Sequence, residues 1–423
     1  MATRPSSEGS GRIVVLDIIR GIAVMGIFSV NVIAFAMIEA AYFNPPAYGG
    51  HAGADLAVWA ANMVLIDGKM RSLFSMLFGA SMLLVIERAE AAGQSGLKVH
   101  ARRMLVLFAF GLVHYYFIWS GDILTLYAVC GLIAFLFRSL PPEKQTALGA
   151  AFLLGHMMLF GGWLFSAYQA DIAAHAANAS SSAIQAWNEG MGRYFPTADM
   201  IANDKAIHLG SYLDYVTYRL AEWDDVITST LVFVPDTLGL MLLGMAGYRS
   251  GFLTGEWADE DYRRVARHAL GAGLLCGLGI VVYDIASGFY IVGSTAAFVV
   301  VATPFLTIMA FGYAALIILV SRGLGPIARR VAAAGRCAFS NYLGTSLLAS
   351  FIFNGWGFGL YGSLSRFQAW CFVPAFWALM LLWSKPWLDR FRYGPFEWAW
   401  RSLSRGKLQP MRKPLGKAAL SEA

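Results

Sequence analysis

The feature that most constrains this chain is a series of mostly apolar runs, each about 17 to 25 residues long, the length at which a helix crosses the hydrocarbon core of a bilayer. Hydrophobic residues make up 58% of the 423 residues and charged residues 14%. A soluble fold could not bury that much apolar surface. The sequence therefore predicts an all-α, polytopic transmembrane helical bundle that forms a single integral membrane domain over residues 1–423.

The apolar runs predict ten membrane-spanning helices. They cover residues 15–38, 69–88, 104–120, 122–138, 146–168, 226–248, 268–290, 294–320, 337–354 and 367–384. A further short or interfacial helix is predicted over residues 55–66. The first run contains Asp17, Arg20 and Asn31 and is longer than the apolar region of a signal peptide, so we expect it to be retained. Lys and Arg concentrate in alternate connections, which places both termini in the cytoplasm by the positive-inside rule.

Two segments lie outside the spans. Residues 169–225 form an insertion on the outer side, in which tyrosines recur among acidic residues. This pattern is typical of amphipathic helices at an interface, and it leaves open a surface cap or a lid over an outward-facing site. Residues 385–423 form a basic cytoplasmic tail that faces anionic membrane lipid. Because the net charge of +6 follows this topology, it does not indicate nucleic-acid binding.

The run from Met104 to Phe137 carries ionisable residues where lipid is expected. His114 lies eleven residues after Arg103, roughly 16 Å along a helix and on nearly the same face. Asp122 follows in a predicted tight helical hairpin. Ionisable groups in lipid are costly and usually functional, so we predict His114 as catalytic and Asp122 as its orienting partner. A structural histidine and a helix N-cap are the alternatives.

Further candidate residues lie near the ends of the first two spans. Asp17 and Arg20 are three apart and can pair on one face, where they either anchor the helix or bind a phosphate-bearing cofactor. Lys69 and Arg71 lie at the outer end of the second span, with Asp67 or Asp122 as candidate partners. Asn31 shares a face with Arg20 and is a candidate substrate ligand.

Four features are predicted to have structural or secondary roles. Ser75 and Gly79 form a small-xxx-small pair that favours close helix packing. Asp236 follows a proline and is predicted to cap a helix turn, and residues 354–362 form a Gly/aromatic connection on the outer side. His51 in an outer loop is a candidate on the acceptor side. The four cysteines show neither CxxC nor Cys/His spacing, so no metal site or disulfide framework is predicted.

Several segments taken in this order resemble the YeiB-like family of bacterial multi-pass membrane proteins, a family of unknown function. They are LDIIRGIAVMGIFSVN, GKMRSLFSMLFGASM, FGLVHYYFIWSGDILTLYA, FSNYLGTSLL, NGWGFGLYG and RYGPFEWAWR. The resemblance extends from Leu16 to Arg401. The family pattern maps onto Asp17, Arg20, Asn31, Lys69, Arg71, Arg103, His114, Gly121 and Asp122, and Met70 departs from it where Phe is usual.

That family is grouped with transmembrane acyltransferases, including a lysosomal heparan-α-glucosaminide N-acetyltransferase. The resemblance implies transfer of an acyl group from cytosolic acyl-CoA, such as acetyl-CoA, to a sugar or lipid acceptor outside the bacterial inner membrane. Asp17, Arg20 and Arg103 would hold the donor, and Asn31, Lys69, Arg71 and His51 the acceptor. In the lysosomal relative the proposed catalytic histidine lies in the loop after the first span, which here holds His51. The predicted position of His114 near the middle of the membrane favours His114 instead.

A transporter or lipid-binding protein that uses the same polar residues as a permeation path is the alternative function. Buried charges that only fix helix packing are a third, weaker interpretation. The sequence has no detectable internal repeat and no matched pair of broken helices, which counts against transport. It leaves the oligomeric state open, a homo-oligomer included.

Overall fold

The computed structural model describes residues 13–323 and 325–413. Within these ranges the chain is helical and has no strand, which confirms the all-α fold class. The helices of the first half are α1 (Val14–Ala36), α2 (Ala40–Phe43), α3 (Gly53–Leu65), α4 (Lys69–Ala91), α5 (Gly96–Phe117), α6 (Leu124–Ala134), α7 (Pro142–Ala174), α8 (Ser181–Met191), α9 (Ala198–Leu209) and α10 (Tyr212–Ala221).

The helices of the second half follow with short connections. They are α11 (Asp225–Arg249), α12 (Asp259–Ala286), α13 (Ile291–Thr295), α14 (Ala302–Ser321), α15 (Pro326–Arg336), α16 (Ala338–Phe353), α17 (Arg366–Trp370), α18 (Phe372–Arg390) and α19 (Pro395–Arg405). A π-helical segment, Ala296–Val301, joins α13 to α14. The final residues of the predicted basic tail, 414–423, lie outside the described ranges.

Seven of the described helical segments are long and apolar enough to cross a membrane, when α3 and α4, α13 and α14, and α17 and α18 are each counted as one segment. α6 and α16 are apolar but shorter. α5 is not among the seven, because two arginines and two histidines lower its mean hydropathy. Each of the ten predicted spans lies largely in helical segments, although the span 294–320 includes the π-helical segment and the span 367–384 is divided between α17 and α18. α7 extends six residues into the predicted outer insertion. The number of spans and the side of the termini stay predictions.

Close backbone approaches hold the central helices together. A Cβ atom on Gly79 of α4 would overlap the carbonyl group of Met241 in α11, and one on Gly244 of α11 would overlap that of Met76. α4 and α11 therefore cross with their backbones nearly in contact, as glycine permits. The close packing predicted for Gly79 is confirmed. The crossing determines which polar side chains of α4 and α11 lie opposite each other.

The outer insertion folds over the bundle end that the charge pattern assigns to the outside. The Tyr212 hydroxyl of α10 donates to the Phe117 carbonyl at the end of α5, at 2.9 Å. His208 of α9 stacks on Tyr361, with ring centroids 4.1 Å apart, and the Gly355 amide donates to the His208 carbonyl at 2.9 Å. The insertion and the Gly/aromatic connection thus form one layer, here called the outer cover, above the α5–α6 hairpin.

Candidate active site

The α5–α6 hairpin brings His114 and Asp122 together. Nδ1 of His114 lies 2.9 Å from Oδ1 of Asp122, and neither side chain is exposed to solvent. The hairpin is this tight because Gly111 lets α5 approach Thr125 at the start of α6, where a Cβ atom would overlap. The two residues predicted to act together are therefore in direct contact.

Asp122 makes the contacts that both roles left open by the sequence would need. Its second carboxylate oxygen, Oδ2, accepts a hydrogen bond from the Thr125 amide at 2.8 Å in the first turn of α6. Capping the helix and orienting the histidine use different oxygens of one carboxylate, so they do not compete. The cap in turn fixes the position of the carboxylate relative to the imidazole.

The other imidazole nitrogen of His114 is the unusual atom of the site. Nε2 is buried and has no hydrogen-bond partner within the described part of the chain. An ionised Asp122 accepts from Nδ1–H, which leaves a lone pair on Nε2. Buried polar atoms are nearly always partnered, so an unpartnered nitrogen beside a satisfied one marks a position where a reacting group can bind.

Two aromatic rings close the site around the imidazole. The ring of Tyr342 on α16 has its centroid 5.2 Å from that of His114, and the Trp119 ring lies at 6.2 Å. The Tyr342 hydroxyl donates to the Gly121 carbonyl and accepts from the Ile123 amide, each at 3.3 Å. Sequence reasoning assigned neither ring a role. The only signal was their presence in the FSNYLGTSLL and FIWSGD segments.

A second polar pair joins α4 to α11. The Arg71 guanidinium forms an ion pair with the Asp236 carboxylate, a partner that the sequence did not predict, and Asp236 lies inside α11, so the helix-turn cap predicted for it is wrong. Of the two predicted partners, Asp122 is bound to His114. Asp67 forms no ion pair in the described chain, although its charge interacts with those of Lys69 and Arg71. The Asp236 side chain is 5% exposed, and that of Arg71 is 35% exposed. Asp67 instead accepts from the Tyr42 hydroxyl at 2.9 and 3.0 Å.

The remaining candidates of the first two spans lie apart from the hairpin. Arg20 pairs with Asp17 at 3.2 Å and donates to Ser81 Oγ at 2.6 Å, so it ties α1 to α4. Lys69 is buried and donates to the Met63 carbonyl. Asn31 is half-buried.

Arg103 and His51 lie at opposite ends of the molecule. The Arg103 guanidinium stacks on the Trp400 ring of α19, 4.1 Å from its centroid, and does not join Arg20. His51 is exposed in the loop before α3, with its ring 6.4 Å from that of Phe289. No carboxylate of the described chain pairs with it. Of the two candidate catalytic histidines, only His114 is therefore hydrogen-bonded to a carboxylate in the described chain.

The outer cover above the hairpin has its own titratable cluster. The Tyr361 hydroxyl donates to Asp204 Oδ2 at 2.6 Å, and burial together with this carboxylate raises the pKa of Tyr361 well above its usual value. Burial lowers the pKa of His208, which the nearby Asp204 carboxylate partly opposes. The cover is thus held by a neutral histidine stacked on a neutral tyrosine. Across the described residues, no group of three or more His, Cys, Asp or Glu could hold a metal ion.

Comparisons with known proteins place the chain in a family. A family model described as protein of unknown function, DUF418, matches residues 247–407. The uncharacterized protein YxaH of Bacillus subtilis (strain 168) is 30% identical over 415 residues, covering 95% of this chain and 96% of the relative. The uncharacterized protein YeiB of Escherichia coli (strain K12) is 30% identical over 413 residues, with 93% and 96% covered.

A third relative, an uncharacterized 39.9 kDa protein in the amylase 3′ region of Bacillus acidopullulyticus, is 24% identical over 404 residues. No solved structure matches the chain. The bacterial relatives and the apolar helices together indicate a bacterial multi-pass membrane protein. The 30% identity to YxaH and YeiB over nearly the full length confirms the resemblance seen in the motifs: this chain belongs to the YeiB-like family.

Proposed function

We propose that this protein is an acyltransferase embedded in the bacterial inner membrane. It transfers an acyl group from cytosolic acyl-CoA to a sugar or lipid acceptor on the outer side. The observation that carries the proposal is the buried His114–Asp122 pair, in which Asp122 fixes the imidazole and Nε2 is left with a free lone pair. A histidine held by a carboxylate in this way is the arrangement that acyl-transfer chemistry uses in general-base catalysis.

The chemistry follows from the tautomer. Nε2 of His114 takes a proton from the hydroxyl or amine of the acceptor as its oxygen or nitrogen attacks the thioester carbonyl. The carboxylate of Asp122 stabilises the imidazolium that forms. The carbon–sulfur bond then breaks, and the imidazolium returns its proton to the departing thiolate. In the carrier variant of this mechanism, Nε2 itself attacks the thioester carbonyl and the carbon–sulfur bond breaks to release the thiolate. The acceptor then attacks the acyl group on Nε2, the carbon–nitrogen bond breaks, and the proton of the acceptor goes to the thiolate.

Reactants must reach a nitrogen that the protein encloses. The Trp119 and Tyr342 rings are the nearest groups that would have to move, since both pack against the imidazole. Trp119 also stacks on Phe35 of α1, at 4.0 Å between centroids. Their closure would exclude water, which otherwise competes with the acceptor for the acyl group.

The position of His114 along α5 supports transfer across the membrane. Arg103 lies eleven residues earlier, roughly 16 Å away along the helix, at the end predicted to face the cytoplasm. The outer cover contacts the other end of α5. Arg103 and Arg20 would bind the donor, and the partly exposed Arg71 is the strongest of the acceptor candidates.

The test uses purified protein in nanodiscs with acetyl-CoA and a candidate acceptor. His114→Ala is expected to reduce thiol release and acceptor labelling by about 10²- to 10⁴-fold. His156→Ala is the matched control, because His156 is also buried with an unpartnered nitrogen, and no carboxylate of the described chain forms a hydrogen bond or ion pair with its ring. Equal activity of wild-type protein and His114→Ala would refute the proposal.

One observation favours the transporter alternative. Arg71 keeps 35% of its side chain accessible although its partner is buried, as a residue lining a wet path would. Reconstituting the same purified protein into liposomes distinguishes the two functions, because transport predicts solute flux into the liposomes without acyl-CoA. Acceptor labelling without such flux would exclude it.

A further inference from the structure

Asp284, near the end of α12, is a buried acid to which the acyl-transfer mechanism gives no role. The residue is 2% exposed, and its Oδ1 atom is buried without a hydrogen-bond partner in the described part of the chain. Its carboxylate forms no ion pair within the same ranges. Buried acids are nearly always paired or hydrogen-bonded, so this carboxylate needs a partner from outside the chain.

The chain turns back sharply between α12 and α13 and brings Ser294 to the same carboxylate. Gly288 and Phe289 have left-handed φ angles of 62° and 61°, and the Phe289 amide donates to the Asp284 carbonyl at 2.7 Å. A left-handed φ is strained for a bulky residue, and packing of Phe289 on Trp59 of α3, at 5.0 Å between ring centroids, holds it in place. The turn therefore has one fixed geometry.

Ser294 is the second polar group of this turn that lacks a partner. It is 9% exposed, and its hydroxyl lies close enough to act on the Asp284 carboxylate. Neither Ser294 Oγ nor Asp284 Oδ1 completes a hydrogen bond with any described residue. Two buried oxygens that face each other without a bond are the arrangement expected where a small ligand bridges them.

The surroundings of these two oxygens are apolar. Ile291 and Val292 of α13 are buried beside them. Phe298 of the π-helical segment packs in one cluster with Ile280, which lies one turn before Asp284 on α12. π-helical turns are often found at functional sites. An ionised carboxylate is costly in such surroundings unless a cation neutralises it.

No titratable side chain on the neighbouring elements supplies that cation. Those near this end of α12 are either exposed or bonded to another group. They are Tyr283 on α12, Tyr290 before α13, Tyr168 and Asp171 on α7, Tyr313 on α14, His51 and Asp55 near the start of α3, and Lys69 at the start of α4. The one base with a permanent charge among them, Lys69, donates to the Met63 carbonyl.

We propose that Asp284 and Ser294 form a binding site for a small monovalent cation, a proton or a sodium ion. Carboxylate and hydroxyl oxygens are ligands that such cations take in membrane proteins, and a single carboxylate balances a single positive charge. The end of α12 that carries Asp284 is predicted to face the outside, so the cation exchanges with that side. The site lies on helices that do not carry His114, and it is independent of the acyl-transfer reaction.

The experiment measures labelling of the protein by dicyclohexylcarbodiimide in phosphatidylcholine nanodiscs, with mass spectrometry of the peptides. This apolar reagent reacts with carboxyl groups that carry a proton, and it reaches α12 from the lipid because Val282 and Ile285 are exposed. The control within the same molecule is Asp171, whose carboxylate already accepts a hydrogen bond from Tyr290 at 2.6 Å. Parallel samples contain sodium chloride or choline chloride at equal concentration, which keeps the ionic strength constant.

A second measurement needs no access for the reagent. The melting temperature of the wild type, of Asp284→Asn and of the control Asp171→Asn is determined in the same two salts. A cation that binds the folded protein raises its melting temperature, so the site predicts a sodium effect that Asp284→Asn lacks and Asp171→Asn retains if the ligand is sodium. Labelling is measured on the wild type, so the test stands even if Asp284→Asn does not fold.

The site predicts at least about tenfold more labelling at Asp284 than at Asp171 near pH 7, because an aspartate in water carries almost no proton there. Labelling that falls as the pH rises and is equal in both salts identifies a proton. Labelling that sodium, and not choline, slows at least about threefold identifies a sodium ion. Labelling no greater than at Asp171, together with melting temperatures that respond equally to the two salts, would overturn the proposal.

Discussion

Two polar pairs of the helical bundle, His114–Asp122 and Arg71–Asp236, are built in opposite ways. The first joins residues eight apart across one hairpin, and neither side chain is exposed. The second joins residues 165 apart on two crossing helices, and its cation is partly open. In the first pair a nitrogen is left without a partner, whereas in the second each charge is neutralised by the other.

This difference separates a pair suited to chemistry from a pair suited to holding helices. Arg71 and Asp236 compensate each other, so removing either one leaves a buried charge without a partner. His114 need not be charged, and Asp122 keeps the Thr125 amide as a partner whatever happens to the imidazole. We therefore expect damage to Arg71–Asp236 to affect the fold first, and damage to His114–Asp122 to affect activity first.

The largest effect on stability is expected from Asp236→Ala. It leaves the Arg71 guanidinium without its carboxylate, which should lower the free energy of unfolding by about 3 kcal/mol, the lower end of the range for buried pairs because Arg71 is partly hydrated. Thermal unfolding in detergent measures this. Replacing both partners, as in Arg71→Met/Asp236→Leu, should recover most of the loss. A melting temperature equal to that of the wild type would show that the pair does not stabilise the fold.

A smaller effect on stability, but a large one on activity, is expected from Asp122→Asn. The amide oxygen can still accept from Thr125, so the helix cap survives. The amide N–H₂ would donate to Nδ1 of His114, which moves the proton to Nε2 and removes the base. We expect turnover of acetyl-CoA to fall about 10²-fold or more with little change in melting temperature. Unchanged turnover would reduce Asp122 to a helix cap.

The sequence could predict the His114–Asp122 pair because the two residues are close in sequence and lie in one hairpin. Apolar length gave the helices, and the Gly-Asp turn after His114 placed the carboxylate within reach of the ring in any tight hairpin. The Arg71–Asp236 pair could not be predicted, because these residues meet only if α4 and α11 cross. That crossing is set by Gly79 and Gly244, whose partners are backbone atoms of the opposite helix. Tyr342 was missed for the same reason, since it reaches the imidazole only because α16 lies beside the hairpin, and the position of Trp119 depends on its stack on Phe35 of α1.

The smallest expected effect is on the stability of the outer cover, which lies above the His114–Asp122 pair and not above Arg71–Asp236. Burial holds the pKa of His208 below its usual 6.5, so the unfolded cover binds more protons than the folded one just below that pH. The stability of the cover is therefore fully present above pH 6.5 and declines as the pH falls below it. Asp204, at 3.6 Å from the ring, opposes the lowered pKa, and Tyr361 stays neutral throughout.

Limited proteolysis of the α9–α10 segment on either side of pH 6.5 would measure this decline. Wild-type protein should be cleaved faster on the acidic side, because the protonated form of His208 is costly to keep buried in the cover. His208→Gln should show no such acceleration, although its cover is looser at every pH. This pH dependence would affect the two pairs differently. Loosening the cover exposes the α5–α6 hairpin, which carries His114–Asp122. The α4–α11 crossing, which carries Arg71–Asp236, is held by backbone contacts that do not titrate. Equal acceleration in wild type and variant would place the pH-sensitive contact elsewhere and leave the access to His114 independent of His208.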